Sequence, residues 1–184
     1  MKKGLFVGSF NPITIAHKNI ANYVLENQYI DYLYFLPVNS KKTDLISIDK
    51  RIAMINLIKK GQEDILNIYN YSKDGLFNYN ILKKINNKIN INYIIMGSDL
   101  FLNFHNFKNY EKILEEFTII VINRNKNIKK YIKDNYSFYL DKIIFIKHEF
   151  DGSSLLAKKE LSLNKNNYLD KEVLDYIIEN KLYQ

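Results

Sequence analysis

The sequence LFVGSFNPITIAH, residues 5–17, decides the fold. Its apolar start, residues 5–7, predicts a short buried β-strand, and apolar residues at helical spacing predict a helix over about 14–27. A turn with glycine and proline, residues 8–12, separates the two. A strand, a tight turn and a helix in this order are typical of a parallel α/β sheet, which binds ligands at the carboxyl ends of its strands.

The same alternation continues along the chain. Further apolar runs predict strands at residues 65–71, 91–96, 117–122, 143–146 and, earlier, 32–36. Apolar residues at helical spacing predict a helix that begins near residue 47 and further helices at about 80–87, 109–116, 127–134 and 170–183. No repeat or linker-rich stretch marks a second domain. We therefore predict one domain over residues 1–184, with a Rossmann-like, doubly wound parallel sheet, helices on both faces and a C-terminal helical segment.

Composition excludes several classes of protein. The chain has 184 residues and no cysteine, so disulfides, thiolate metal sites and a cysteine nucleophile are excluded. No apolar run is long enough to cross a bilayer, and we expect a cytoplasmic protein without a membrane partner. The net charge of +7 comes almost entirely from lysine, with arginine only at Arg51 and Arg124. Because nucleic-acid binders rely on arginine, we expect no nucleic-acid partner. A nucleic-acid-binding module remains an alternative that rests on the net charge alone.

The turn after the first strand has the chemistry of a phosphate site. Gly8 permits close approach of a ligand to the backbone, and the amides at the start of the next helix favour an anion. Thr14 offers a hydroxyl group, and His17 lies on the same side of the helix one turn later. The three-glycine dinucleotide fingerprint and the glycine-lysine pair of the P-loop are both absent from this turn. Taken alone, His17 is more often a structural histidine beneath a sheet edge.

Residues 8–17, GSFNPITIAH, resemble the signature G-[ST]-F-[DN]-P-x-[HT]-x-x-H of the nucleotidyltransferase superfamily, whose members transfer a nucleotidyl group to a phosphorylated acceptor. The resemblance implies that His17 stabilises charge on the α-phosphate, with the Thr14 hydroxyl as a second donor. It also implies an ATP site that includes Gly8, Ser9, Phe10 and Asn11, with Ser9 and Phe10 also contacting the acceptor. The commonest bacterial form has His at the position of Thr14, but similar members carry Thr there, so the departure does not indicate inactivity.

A second block decides between subfamilies. Residues 96–114 resemble the G-x-D…W…(acidic)-x-(Ile/Leu)-Leu block of nicotinate- or nicotinamide-mononucleotide adenylyltransferases. The resemblance implies that Gly97 and Asp99 contact the ATP ribose and that the pyridine ring stacks on Phe107, which replaces the usual Trp. It also implies that Arg124, after the next strand, binds the substrate. The alternatives are that Asp99 caps a helix and that Phe107 is a core residue.

The loop and helix after the second strand extend the resemblance. Residues 37–42 resemble the proline-to-lysine loop of the family, which implies that Asn39 and Lys42 bind the substrate and that Lys42 contacts phosphate. Arg51, with Met54 three residues later, fits the Arg-x-x-Met pattern of the family. The alternative for Arg51 is an ion pair on the helix surface.

Residues 152–158, GSSLLAK, resemble the second superfamily signature, I-S-S-T-x-x-R. The resemblance implies that Ser153, Ser154 and Lys158 hold the β- and γ-phosphates and stabilise the leaving pyrophosphate. Leu155 and Lys158 replace the Thr and Arg of the signature, and a lysine lacks the bidentate geometry of arginine. An ordinary helix cap is the alternative for the two serines.

Together these resemblances imply an enzyme of NAD biosynthesis that transfers AMP from ATP to nicotinate or nicotinamide mononucleotide. Mg²⁺ is expected to be held mainly by the ATP phosphates, which is usual for this hard cation and explains why no carboxylate cluster in the sequence marks a metal site. One alternative is phosphopantetheine adenylyltransferase, which residues 12–14 favour. Another is a non-catalytic nucleotide-binding protein, which the departures from the signatures favour. The sequence leaves open the acid or amide form of the pyridine nucleotide and the oligomeric state.

Overall fold

The computed structural model describes residues 1–39, 44–59, 77–124, 127–148 and 150–183, and the backbone of residues 63–65. These residues form one six-stranded parallel sheet of β1 Lys3–Gly8, β2 Tyr32–Pro37, β3 Glu63–Ile65, β4 Tyr93–Gly97, β5 Thr118–Ile122 and β6 Ile143–Ile146. The strand order is β3-β2-β1-β4-β5-β6, so the chain winds outward from β1 in both directions. The predicted doubly wound sheet is confirmed, and its switch point lies between β1 and β4.

Strand side chains alternate between two hydrophobic clusters, one on each face of the sheet. Phe6 of β1 pairs in register with Phe35 of β2 and Ile95 of β4, and all three lie in the same cluster. Their neighbours Leu5 and Val7 lie in the cluster on the other face. Both faces of the central strands are apolar because helices cover both of them.

The helices are α1 Ile15–Glu26, α2 Ile48–Ile58, α3 Tyr79–Ile89, α4 Ser98–Phe101, α5 Tyr110–Glu116, α6 Ile128–Asn135, α7 Ser154–Leu161 and α8 Lys171–Glu179. Helices α1, α2, α7 and α8 contribute mainly to the cluster around Phe6, whereas α3, α5 and α6 contribute to the cluster around Leu5. The predicted C-terminal helix over 170–183 corresponds to α8, which ends earlier, at Glu179. None of the helices in the described part of the chain is long and apolar enough to span a membrane.

The predicted strand at 65–71 differs from the structure. The described strand there is β3, residues 63–65, and residues 66–71 lie outside the described part of the chain. The other predicted strands agree with the structure to within two residues, because their runs of β-branched and aromatic residues are bounded by polar segments.

Candidate active site

A cavity of about 630 Å³ lies at the carboxyl ends of the central strands. Its walls come from the turns after β1, β2, β4 and β5 and from the start of α7. It is lined by ten of the residues that the sequence predicts to bind substrates: Gly8, Ser9, His17, Asn39, Gly97, Asp99, Phe107, Arg124, Ser153 and Ser154. The volume lies in the range of small-molecule sites. Lys42 lies outside the described residues.

The His17 ring is hydrogen-bonded to Thr14, the residue that precedes α1. The Thr14 amide donates a hydrogen bond of 3.1 Å to His17 Nδ1, and Thr14 Oγ1 lies 2.8 Å from the same nitrogen. A backbone N–H can only donate, so Nδ1 is an acceptor and the ring proton of neutral His17 resides on Nε2. Thr14 is 1% exposed and does not line the cavity. The geometry therefore gives the Thr14 hydroxyl a role in positioning His17 in place of the expected phosphate contact.

The surroundings of His17 keep its ring uncharged. The rings of Phe6 and Phe10 lie 6.0 and 5.2 Å from the imidazole, and the side chain is 6% exposed. Burial, and secondarily the positive charge of Arg124, lower the pKa of His17 to about 3. At neutral pH, His17 is therefore a neutral hydrogen-bond donor through Nε2. A neutral imidazole of this kind can polarise a phosphoryl oxygen without exchanging a proton with it.

Phe10 holds the turn after β1 in a strained conformation. Its φ angle is 46°, in the left-handed region that aromatic residues rarely adopt. The ring packs edge-on against Phe6, Phe35 and His17, and a Cβ on Gly8 would lie 3.0 Å from it. The side chain is therefore part of the core. Contacts of the Phe10 side chain with ATP and the acceptor are therefore not expected. Contacts made by the Phe10 backbone remain a prediction.

Asn11 connects the same turn to two other segments. Its Nδ2 donates to the carbonyl oxygen of Asp44, and its Oδ1 accepts from the amide of Ile46 and the hydroxyl of Tyr183. The side chain is 2% exposed and does not line the cavity. The structure thus gives this side chain a structural role, and the expected ATP contact of Asn11 remains a prediction for its backbone.

The turn after β4 places a carboxylate beside a cation. Asp99 folds back over Gly97, where a Cβ would collide with the Asp99 carboxylate and lie 3.5 Å from Arg124 Nε. Gly97 itself is the residue before α4 and no side chain caps this helix, so the capping alternative for Asp99 is wrong. Arg124 Nε is buried beside the cavity with no hydrogen-bond partner among the described residues. Arg124 lines the cavity, and its expected contact with the substrate remains a prediction.

Phe107 stands at the cavity wall between two other rings. Phe77 lies 5.4 Å from it at an interplanar angle of 80°, and Phe104 lies 5.6 Å from it at 82°. Such edge-to-face pairs fix the plane of the central ring. Phe107 therefore both packs against the hydrophobic cluster and lines the cavity, and stacking of the pyridine ring on it remains a prediction.

The start of α7 carries the residues of the second signature. Ser153 caps the helix, with its Oγ accepting from the Leu156 amide, and Ser154 Oγ donates to the carbonyl oxygen of Pro12. Both serines also line the cavity, so the capping and ligand-facing roles coexist. Lys158 does not line the cavity, because its ammonium group pairs with the carboxylate of Asp44.

Several residues at the site escaped the sequence predictions. Phe77, Leu100 and Asn103 line the cavity. Asn103 lies four residues after Asp99 and donates to its carbonyl oxygen, so helical spacing is a signal that could have found it. Phe77 reaches the cavity only through tertiary packing, for which the sequence holds no signal.

The described residues offer little to a metal ion directly. No group of three or more His, Asp or Glu side chains among them is arranged to hold one. Asp99 is the carboxylate at the cavity wall. This donor set fits a hard cation that takes most of its oxygen ligands from a bound polyphosphate and water.

The Cytidylyltransferase-like family profile matches residues 5–159. The chain belongs to this family. A relative from Acholeplasma laidlawii, named "Probable nicotinate-nucleotide adenylyltransferase", is 30% identical, and the match covers 98% of this chain and 96% of the relative. The resemblance inferred from the sequence motifs is thus confirmed.

Solved structures show the same fold. The Plasmodium falciparum nicotinic acid mononucleotide adenylyltransferase complexed with APC matches with a TM-score of 0.75 and 21% identity. The match covers 99% of the chain described above and 96% of the Plasmodium chain. The complex of the same enzyme with NaAD gives a TM-score of 0.74, also at 21% identity, over 100% and 98%. The Rossmann-like fold is therefore shared over the whole length.

Proposed function

We propose that this family member transfers AMP from ATP to nicotinate mononucleotide, forming the dinucleotide and pyrophosphate in NAD biosynthesis. The observation that carries the proposal is the buried, neutral His17 at the switch-point cavity, with its Nε2 proton as a fixed donor. The name of the relative and the dinucleotide complex of the structural neighbour support the acid form of the acceptor.

Each described side of the cavity has a task in this reaction. An oxygen of the acceptor phosphate attacks the α-phosphorus in line, the new P–O bond forms, and the bond to the β-phosphate oxygen breaks. His17 Nε2–H donates to an α-phosphate oxygen as charge develops, and the Asp99 carboxylate accepts from the ATP ribose. The pyridine ring stacks on Phe107. No protein nucleophile is required, so positioning and electrostatics supply the acceleration.

The start of α7 is assigned to the leaving group. The hydroxyl proton of Ser153, which is not used in its cap bond, and the helix dipole favour the negative charge of pyrophosphate, whereas the Ser154 hydroxyl anchors the start of α7 to the Pro12 carbonyl oxygen. Lys158 adds a positive charge once it exchanges the Asp44 carboxylate for a phosphate. When bound through the ATP phosphates, with Asp99 as the carboxylate at the cavity wall, Mg²⁺ would supply further positive charge to the polyphosphate.

A pyrophosphate-release assay tests the proposal. The purified chain is given ATP and Mg²⁺ with nicotinate mononucleotide, nicotinamide mononucleotide, phosphopantetheine or no acceptor. We expect the highest kcat/KM with nicotinate mononucleotide. If phosphopantetheine is the only acceptor that is turned over, the proposal is contradicted in favour of an enzyme of coenzyme A biosynthesis. ATP binding by calorimetry without pyrophosphate release in any arm contradicts it in favour of a non-catalytic protein.

A further inference from the structure

Arg51 joins two walls of the cavity from behind. It lies on α2 and is 0% exposed. Its Nη1 donates to the carbonyl oxygens of Ser9, at 2.7 Å, and Val38, at 2.9 Å, and its Nη2 donates to Asn39 Oδ1 at 2.6 Å. All three partners line the cavity. One guanidinium group therefore ties the turn after β1 to the turn after β2, and the alternative of an ion pair on the helix surface is wrong for Arg51.

The charge of Arg51 has no anionic partner in the described part of the chain. Its remaining bond, from Nε to the carbonyl oxygen of Ile46, also goes to an uncharged acceptor. Burial lowers the pKa of Arg51 from its ordinary value, although a guanidinium group remains protonated at neutral pH. A buried, unpaired cation destabilises a fold. Its field favours an anion in the adjoining cavity.

The bonds of Arg51 also set the direction of nearby donors. In a trans peptide the C=O and N–H groups point in opposite directions, and the cis bond among the described residues is Asn11–Pro12. Because Arg51 holds the carbonyl oxygens of Ser9 and Val38, the N–H groups of Phe10 and Asn39 point away from it. The bond to Asn39 Oδ1 likewise leaves Asn39 Nδ2 directed away from Arg51, on a residue that lines the cavity.

We infer that Arg51 is a positioning residue that orients the amides of Phe10 and Asn39 and the Asn39 side chain toward the phosphate of the acceptor mononucleotide. This inference rests on the proposed function. The choice of the acceptor phosphate over ATP follows from the side of the cavity involved. Val38 packs against the same hydrophobic cluster as Phe77 and Phe107, at the wall assigned to the pyridine ring.

Substitution Arg51→Lys tests the role of the guanidinium group. Lysine retains the charge but loses the planar fork that holds three oxygen atoms at once. We expect the KM for nicotinate mononucleotide to rise about tenfold or more, corresponding to one lost charged hydrogen bond, with the KM for ATP within about twofold of wild type. The matched control Lys50→Ala, one residue away on α2, keeps both values. A similar rise in both KM values, or no rise, overturns the inference.

Substitution Asn39→Asp separates positioning from stability. The aspartate keeps an oxygen for Arg51 and supplies the missing anion, but it removes the Nδ2 donor. A purely structural role predicts an unchanged or higher Tm with normal kinetics. Positioning predicts an unchanged or higher Tm together with an increase of about tenfold or more in the KM for nicotinate mononucleotide. A wild-type KM in this variant overturns the inference.

Calorimetry with nicotinate mononucleotide alone distinguishes this inference from the proposed function. Weaker binding to Arg51→Lys and Asn39→Asp supports the inference, even if the wild-type chain shows no turnover and the proposed function fails. Wild-type turnover together with unchanged binding in both variants leaves the proposed function standing and overturns the inference.

Discussion

The two ends of the cavity are built in opposite ways. At the end of β1, His17 and Thr14 are 6% and 1% exposed, and each is bonded to the other. At the start of α7, Leu155 is 72% exposed, and Lys158 pairs with an Asp44 side chain that is 54% exposed. The first end holds its donors in place before a ligand arrives. The second end must exchange a protein partner for a phosphate group.

This difference separates chemistry from binding. Groups that are fixed before binding contribute most to a transition state, because they need no reorganisation as charge develops. Exposed, paired charges contribute mainly to affinity and are screened by salt. We therefore expect substitutions at the β1 end to lower kcat most, and substitutions at the α7 end to act mainly on the KM for ATP, with a smaller effect on kcat through the leaving pyrophosphate.

The largest effect is expected for His17→Ala. Loss of one donor to a developing negative charge typically costs about 100- to 1,000-fold in rate, and we expect that loss in kcat with the fold intact by circular dichroism. The control His148→Ala removes an exposed histidine outside the described cavity and keeps wild-type kcat. A His17→Ala variant with near-wild-type turnover refutes the assignment of the β1 end to chemistry.

A smaller effect is expected for Lys158→Ala. Loss of a charged hydrogen bond to phosphate corresponds to an increase of about 10- to 100-fold in the KM for ATP, and this difference should shrink at high salt. Lys159→Ala, at the next and exposed position of α7, is the matched control and leaves the KM unchanged. If Lys158→Ala lowers kcat as strongly as His17→Ala, the assignment of the α7 end mainly to ATP binding is wrong.

The pH dependence of stability tests the burial of the β1 end. His17 has a pKa of about 3 in the folded protein and 6.5 in the unfolded chain. The unfolded chain therefore binds a proton first, and stability is lost as the pH falls from about 6.5 toward 3. From pH 7 to 5.5 this amounts to about 1 kcal/mol of unfolding free energy.

Urea denaturation of wild type and His17→Gln at the two pH values measures this contribution. The stability difference between the two proteins should shrink by that amount at the lower pH. An equal difference at both pH values means that His17 is not held neutral by the fold.

The smallest effect is expected for Phe107→Trp. A larger ring at this position adds part of the about 0.5–1.5 kcal/mol that an aromatic pair contributes, so the KM for nicotinate mononucleotide should fall a few-fold with kcat unchanged. Steady-state kinetics with the acceptor varied measures it. A raised KM indicates that Phe77 and Phe104 leave no room for the indole, so that the space at this wall of the cavity, and not the ring area, limits stacking.

The sequence predicts those parts of the molecule that depend on local pattern. Strands and helices follow from apolar spacing, and the turn after β1 is recognisable because residues 8–17 carry its chemistry in one continuous stretch. The partners of Arg51 and Lys158 are not predictable in this way. Arg51 reaches Ser9 across 42 positions, and Lys158 reaches Asp44 across 114, so only the folded sheet brings them together.

The role of Thr14 shows the same limit at short range. The motif identifies both Thr14 and His17 as candidate donors, and their spacing places them on one side of the helix. Which nitrogen of His17 faces Thr14 depends on the χ angles of a buried ring, and that ring packs against Phe6 and Phe10, whose positions depend on the folded turn.

¹⁵N NMR of the histidine side chains measures directly whether the ligand-free protein holds His17 neutral with its proton on Nε2. His17→Gln identifies the His17 signals by their loss. The account predicts an unprotonated Nδ1, a protonated Nε2 and no titration between pH 5 and 8. A titration midpoint near pH 6.5, or a proton on Nδ1, contradicts it.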